Sequence, residues 1–166
     1  MIDNSALNKI SYGLYIVSSH KEDKINAMIV NSLIQVTAEP AQILVSVNKE
    51  SLTYEYIMAS GVFAAMPVTQ HATMPFIGNF GFRTGRNFNK FEKITYELGE
   101  TGSPIVRENT SAVYEVVVSQ KVDVGSHMLF VGEVKRAEKF CEDVCLTYDY
   151  YRDVIKGKVP KGATHI

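Results

Sequence analysis

The hydrophobic positions of this chain fall mostly into short runs rich in β-branched and aromatic residues, a pattern typical of β-strands. Strands are predicted at residues 14–19, 27–36, 42–47, 62–68, 111–124 and 127–140, with a last strand expected at 144–151. Asn31 and Ser32 interrupt the second run and are candidates for a break in it. The third run is almost continuously apolar, which is typical of a strand buried on both faces.

Helical periodicity is limited to two short segments, each preceded by a capping residue and followed by a glycine. The first covers residues 5–10 and the second lies within 48–61. The candidate caps are Asp3 or Asn4 for the first helix and Ser51 or Thr53 for the second, and the stops are Gly13 and Gly61. Residues 69–81 are ambiguous, because Pro75 limits any helix there.

The connections between these runs are polar. Residues 20–26 are predicted to form a charged turn, 125–126 the tight turn of a hairpin, and the tail from about residue 152 an extended segment. Strands and helices do not alternate regularly, so the predicted fold is mainly β, a barrel with a few short helices. The length of 166 residues favours a single domain over 1–166.

Composition narrows the function classes. The formal net charge is −1, so the chain offers no overall attraction for a polyanion, and a nucleic-acid partner is not expected. The N-terminus has an acidic start and lacks a signal peptide's apolar run, and no stretch is long enough to span a membrane. The expected location is therefore the cytoplasm, without a membrane partner.

The cysteines and histidines do not indicate a metal site. Cys141 and Cys145 are four residues apart, which is not the C-x-x-C spacing of redox or zinc sites, so two reduced thiols are expected. The four histidines are scattered without an H-x-x-x-H pair.

The stretch "NFGFRTGRNFNKF" at 79–91 combines four phenylalanines and two glycines with Arg83, Arg86 and Lys90. Flat apolar rings, a flexible backbone and cations suit a nucleic-acid strand or a nucleotide-like cofactor with a phosphate. A solvated loop anchored by its phenylalanines is the plainer alternative. The stretch contains neither a Walker motif nor G-x-G-x-x-G.

A second candidate is the start of the helix within 48–61. Its unpaired backbone N–H groups, the hydroxyls of Ser51 and Thr53 and the charge of Lys49 together make a credible phosphate site. The alternative is that Ser51 only caps the helix and Lys49 is solvated.

Polar residues in two strands complete the candidates. Asn26, Asn31 and Ser32 punctuate an apolar strand, where they need partners in a ligand or a neighbouring backbone. His127 follows the hairpin turn and is either an exposed residue or a donor at a cleft. No nucleophile–base motif is present, so in an enzyme a cofactor would supply the chemistry.

These constellations, in this order, resemble the flavin reductase-like family of FMN-binding split β-barrels with Greek-key order. The resemblance runs from about Leu7 onward and is carried by "YGLYIVSS", "NAMIVNSLIQVTAEPAQILVSVNKESLTYEYI", "GNFGFRTGR" with "NKF", "GSPIV" and "VDVGSHMLFVGEV". Within the family, the sequence looks closest to flavoredoxins and to the flavin module of high-molecular-weight rubredoxins.

The resemblance implies FMN as cofactor, NADH or NADPH as co-substrate, and a set of site residues. The residues implied along the isoalloxazine ring are Ala27, Met28, Ile29, Val30, Asn31 and Ser32. The next binding stretch comprises Ser46, Val47 and Asn48, followed by Lys49, Ser51 and Thr53 for the phosphate. The residues that would close the pocket are Phe80, Gly81, Arg83, Thr84, Gly85, Lys90 and Phe91. His127 would be the catalytic residue near the flavin face.

The resemblance also implies a homodimer with the flavin site near its interface, and electron transfer from NAD(P)H to free flavin, a separate rubredoxin or another acceptor. The alternatives are a flavin-binding electron carrier without significant NAD(P)H activity and a single-stranded nucleic-acid binder. Ala27, Ile29 and Thr84 depart from the residues usual in the family. No rubredoxin module follows Ile166, so an attached iron centre is not the expected acceptor.

Overall fold

The computed structural model describes residues 1–164, which form short helices around one large antiparallel sheet. The helices are α1 (Asn4–Leu7), α2 (Leu52–Ser60), α3 (Met74–Gly81) and α4 (Tyr148–Asp153). The strands are β1 (Tyr15–Lys21), β2 (Lys24–Val30), β3 (Leu33–Ala38), β4 (Ala41–Asn48), β5 (Val62–Pro67), β6 (Glu97–Leu98), β7 (Pro104–Ile105), β8 (Ala112–Asp123) and β9 (His127–Lys139).

The sheet order requires the sheet to close on itself. The strands lie in the order β2-β1-β5-β8-β9-β4-β3, with every pairing antiparallel. The two outermost strands, β2 and β3, are joined by Asn31 and Ser32 alone. Three peptide steps reach at most about 11 Å, so the two edges must meet. The result is the predicted mainly-β barrel, in which α2 carries the crossover from β4 to β5.

Two hydrophobic cores form on the two faces of this curved sheet. Val17, Val45, Phe63 and Phe130 point into the barrel, and none of them is exposed. The opposite face of β1 and β5 packs against α3 and α4 through side chains that include Ile16, Met66, Phe76, Phe80 and Tyr151. The barrel interior thus fixes the strands, and the outer core attaches the helices.

Several sequence predictions are confirmed in detail. The break at Asn31 and Ser32 separates β2 from β3, and the 111–124 and 127–140 strands form the predicted hairpin. Ser51 caps α2 by accepting a hydrogen bond from the Tyr54 amide at 3.1 Å. Gly61 ends that helix in the left-handed conformation, with φ of 72°, which a residue without a Cβ adopts without strain.

Other predictions are wrong. Residues 144–151 do not form a strand, because Thr147 caps α4 and places Tyr148 and Tyr151 on one buried helical face. The β4 strand is buried on one face only, since Ile43, Val45 and Val47 point inward while the alternate side chains stay partly exposed.

Three boundaries also differ. The charged turn shrinks to Glu22 and Asp23, because β1 and β2 pair through Lys21 and Lys24. The first helix ends at Leu7 rather than near residue 10. The ambiguous 69–81 segment contains α3, which tolerates Pro75 in its first turn, where an amide donor is not needed.

Across residues 1–164, helices of the length and apolar character required to traverse a bilayer do not occur.

Candidate functional site

A cavity of about 400 Å³ opens at the seam of the barrel, and three separate parts of the chain form its walls. The barrel wall is built by β2, β4 and the start of α2. The loop wall consists of the end of α3 and residues 82–91. The third wall is the C-terminal strap, residues 158–164.

Most of the sequence-predicted site residues line this cavity. Fifteen of them do so: Met28, Ile29, Val30, Asn31, Ser46, Asn48, Ser51, Thr53, Phe80, Gly81, Arg83, Thr84, Gly85, Lys90 and His127. Residues as distant in sequence as 28 and 127 are therefore brought to one place. The five others lie outside the lining: Ala27, Ser32, Val47, Lys49 and Phe91.

The polar groups of the barrel wall hold its shape. Asn26, which is buried, donates its amide to the Thr53 hydroxyl at 2.9 Å and so joins β2 to α2. A Cβ on Gly85 would lie 2.1 Å from the Asn26 side-chain oxygen. Glycine is therefore required at residue 85 for the loop wall to approach the barrel wall this closely.

Lys90 is the buried anchor of the loop wall. Its ammonium donates to the Ala27 carbonyl at 2.8 Å and to the Phe80 carbonyl at 3.0 Å. Burial lowers the pKa of Lys90 to about 8, because the charged form loses hydration that two carbonyls replace only in part. Asn79 adds a second tie by donating to the Lys90 carbonyl at 2.8 Å.

The cations near the cavity differ in their partners. Lys49 pairs with Asp123 at 2.5 Å on the β8–β9 hairpin, and Arg86 pairs with Glu55 on α2. Arg83 lines the cavity with its guanidinium 5.2 Å from the centre of the Phe88 ring. Among residues 1–164, no carboxylate forms an ion pair with Arg83. Its charge is therefore available to an anionic ligand.

His127 begins β9 at the edge of the cavity. Its Nδ1 lies 2.8 Å from the Ser126 hydroxyl. Partial burial lowers the pKa of His127 from its usual value, which favours the neutral imidazole at pH 7.

The C-terminal strap was not foreseen as part of the site. The Asn48 amide donates to the Gly162 carbonyl at 3.0 Å, and the Ser32 hydroxyl donates to the Thr164 hydroxyl at 2.8 Å. Tyr148 and Tyr151 of α4 also line the cavity. The polar, glycine-rich tail shows no periodicity, so nothing in its sequence pattern indicated where it would pack.

The lining fits a flavin mononucleotide in its size and chemistry. A single small-molecule ligand typically occupies about 300–1,000 Å³, which includes the volume found here. The apolar side chains of Met28, Ile29 and Phe80 suit a flat ring, while backbone groups of β2 suit its polar edge. Arg83 with the hydroxyls of Ser51 and Thr84 suits a phosphate. Within residues 1–164, no three His, Cys, Asp or Glu side chains form a cluster suited to a metal ion.

Comparison with known families agrees with this geometry. The family model described as "Flavin reductase like domain" matches residues 7–154. The chain therefore belongs to the flavin reductase-like family.

Two relatives resemble the chain over almost its whole length. It is 42% identical over 163 residues to a ferric-chelate reductase (NAD(P)H) from Archaeoglobus fulgidus, covering 98% of this chain and 96% of the relative. It is 38% identical over 162 residues to a high molecular weight rubredoxin from Moorella thermoacetica, covering 98% of this chain and 71% of that protein.

A solved structure, the NADH:FAD oxidoreductase of Streptomyces globisporus, superimposes with a TM-score of 0.77. The superposition covers 86% of this chain and 84% of that chain at 20% sequence identity. At this identity the likeness supports the fold alone.

Proposed function

We propose that this protein is an FMN-dependent oxidoreductase that takes electrons from NADH or NADPH. The observation that carries this proposal is the convergence on one cavity of suitable size of fifteen residues that the family resemblance implies, from distant parts of the chain. The family assignment and the relative named as an NAD(P)H-dependent reductase support the same conclusion.

We assign the phosphate of FMN to Arg83 rather than to Lys49. Lys49 is already neutralised by Asp123 and lies outside the lining, whereas Arg83 has no carboxylate partner among the described residues. The Ser51 hydroxyl lies at the same wall, although it also caps α2. Met28, Ile29 and Val30 would flank the ring.

Bound FMN would accept two electrons from a reduced nicotinamide and pass them on, chemistry that no side chain of this chain provides. The chain's own residues bind and orient. Lys90 fastens the loop wall over the ring site through two backbone carbonyls. His127, favoured as a neutral imidazole, offers a hydrogen-bonding nitrogen at the cavity edge without a second positive charge.

We extend the proposal to a homodimer through an outer-sheet patch. Leu44 pairs in register with Ile34 and Val131, and Leu129 pairs with Val122 and Ser46. The patch is the resulting row of apolar side chains on the outer face of the barrel, namely Ile34, Leu44, Val122, Leu129 and Val131. Ile34 is 58% exposed and Val122 48%, which is unusual for residues clustered in this way.

The outer-sheet patch borders the cavity, because Ser46, which lines the cavity, pairs in register with Leu129 of the patch. A second copy seated on it would cover the apolar row and bring its edge close to the flavin site. Leu44→Asp is expected to produce monomers that release FMN, whereas Val144→Asp, an exposed valine outside the sheet, is expected to leave a flavin-loaded dimer. Light scattering with flavin fluorescence checks both variants. A Leu44→Asp dimer that retains FMN would remove the patch from the interface.

The electron acceptor is proposed to be free flavin, a separate rubredoxin or another acceptor. A relative named as a high molecular weight rubredoxin supports the rubredoxin option. The two thiols, Cys141 and Cys145, are unbridged, which favours a reducing compartment such as the cytoplasm.

Two measurements test the function. Titration with FMN is expected to quench flavin fluorescence at micromolar concentrations and to yield a yellow protein. Stopped-flow mixing of that protein with NADH or NADPH is expected to bleach its absorbance rapidly. A protein that binds FMN but is bleached by neither nucleotide is an electron carrier, which is the second candidate function. A protein that ignores FMN has neither function.

A further inference from the structure

The C-terminal strap covers the cavity without being packed into it. None of residues 158–164 is buried, and Val159 is 43% exposed. The contacts of the strap to the barrel wall are polar and engage side chains of Asn31, Ser32 and Asn48. Three residues that the family resemblance implies for flavin binding thus hydrogen-bond to the protein's own tail.

These contacts are weak enough to open. A hydrogen bond at a solvent-accessible site contributes about 0.5–1.5 kcal/mol net, and the strap lacks buried apolar side chains that would add to it. Segments with few buried apolar contacts open locally at low free-energy cost. The strap is therefore the wall of the cavity that is released most easily.

The cavity volume limits what the closed arrangement holds. About 400 Å³ lies near the lower end of the range for one small-molecule ligand. A volume of this size suits one ligand, so a nicotinamide dinucleotide bound beside a flavin mononucleotide needs room on the side that the strap lines. The second ligand needs space and hydrogen-bonding partners, and the strap occupies both.

We propose that the C-terminal strap occupies the subsite of the nicotinamide dinucleotide and is displaced when that substrate binds. This inference rests on the proposed function, because it assumes that FMN fills the remaining cavity. Release of Gly162 and Thr164 exposes the Asn48 amide and the Ser32 hydroxyl, which are suitable donors for a carboxamide or a ribose. The strap thus acts as an internal competitor of the dinucleotide.

Proteolysis tests this displacement directly, because trypsin cleaves after Lys158 and Lys161 of the strap. FMN-loaded protein is digested with and without NAD⁺ or NADP⁺, oxidised forms that cannot react, and cleavage is followed by mass spectrometry. The dinucleotide is expected to accelerate cleavage at both lysines. Slower or unchanged cleavage, with either nucleotide present at saturation, would overturn the proposal.

A variant gives a second readout. Gly162 has φ of 86°, and a Cβ there would lie 2.7 Å from the Asn48 amide nitrogen, so Gly162→Ala weakens the strap in its docked position. Its affinity for NAD⁺ or NADP⁺ is expected to rise by about two- to tenfold, equivalent to losing one hydrogen bond. Gly61→Ala is the matched control, because Gly61 also has a positive φ but lies outside the cavity. Weaker dinucleotide binding by Gly162→Ala would contradict the inference.

The flavin absorbance of the same samples separates the two possible failures. A colourless protein refutes the proposed function, and the strap inference falls with it. A yellow protein with unchanged cleavage refutes the strap inference alone.

Discussion

The barrel wall and the loop wall of the cavity face each other but are held together by different forces. In the barrel wall, β4 is hydrogen-bonded to β3 on one side and to β9 on the other. Its inward-facing side chains Val45 and Val47 are completely buried. In residues 82–91 the structure has no strand ladder. That segment is held by Lys90, by Asn79 and by the contact of the Phe80 and Phe91 rings at 5.9 Å.

Because the two walls are held by different forces, substitutions in them should affect different properties of the protein. A strand ladder whose inward-facing side chains pack in the hydrophobic core unfolds cooperatively, so a substitution that weakens it lowers the stability of the whole barrel. A loop fastened by a few polar contacts shifts locally when one of them is lost. We therefore expect substitutions in the barrel wall to change the free energy of unfolding, and those in the loop wall to change mainly the affinity for FMN.

The largest expected effect is on the barrel. Phe130 on β9, in register with Val45 of β4, is fully buried and packs against Tyr54 of α2 with ring centres 6.0 Å apart. Phe130→Ala is expected to lower the free energy of unfolding by about 3–5 kcal/mol, since it removes apolar contacts and leaves a cavity. Urea unfolding followed by circular dichroism measures it. The control is Phe88→Ala in the exposed part of the loop, and equal losses in both variants would abolish the distinction between the walls.

The second prediction concerns the buried charge of the loop wall. Burial lowers the pKa of Lys90 to about 8 from 10.5, so between these values the unfolded chain binds more protons than the folded one. The free energy of unfolding should consequently rise with pH from about 8 to 10.5, by up to about 3 kcal/mol, relative to a Lys90→Met variant. Below pH 8 the difference between the two proteins should stay constant.

Unfolding of the wild type, Lys90→Met and Lys93→Met at several pH values provides the measurement. Lys93 is an exposed lysine three residues further along, and its variant should follow the wild type. Parallel pH profiles for the wild type and Lys90→Met would show that Lys90 is better hydrated than its burial indicates.

The third prediction compares a cation of the loop wall with a cation on the barrel side as partners of the FMN phosphate. A charge-assisted contact contributes about 1.5–3 kcal/mol, so Arg83→Ala on the loop wall should weaken FMN binding roughly ten- to a hundredfold. Lys49→Ala on the barrel side should change it by less than about threefold, because Lys49 is paired with Asp123 in a partly exposed ion pair. Fluorescence titration compares the variants. A larger loss of FMN affinity in Lys49→Ala than in Arg83→Ala would indicate that the phosphate binds at the start of α2 instead.

The smallest expected effect is at Asn79. Asn79→Ala leaves the Lys90 carbonyl without its side-chain donor, which should cost about 1 kcal/mol of stability and loosen the loop wall. FMN affinity should fall by a few-fold at most. Asn87→Ala, at an exposed asparagine of the same loop, is the control for titration and thermal unfolding. Identical behaviour of the two variants would show that the Asn79 contact does not hold the loop.

The sequence by itself determined the seven strands of the large sheet, the hairpin of β8 and β9, and most of the residues that line the cavity. These features depend on local patterns, such as alternation, caps and turn residues, or on motifs that resemble a family. Periodicity failed at residues 144–151, where the cap at Thr147 and the spacing of Tyr148 and Tyr151 outweighed a strand-like composition. Periodicity also failed to show that one face of β4 is partly exposed, because the burial of a strand's face depends on which elements pack over it.

Only the tertiary structure decided how the polar and charged residues are used. Sequence reasoning did not indicate which of Arg83, Arg86 and Lys90 meets a phosphate. The fold pairs Arg86 with Glu55, buries Lys90 against two carbonyls and leaves Arg83 facing the cavity. The fold also places the C-terminal strap, whose sequence shows no periodicity, across the cavity. A cation's or a tail's role depends on partners distant in the chain, and local sequence carries no information about which of them lies within hydrogen-bonding distance.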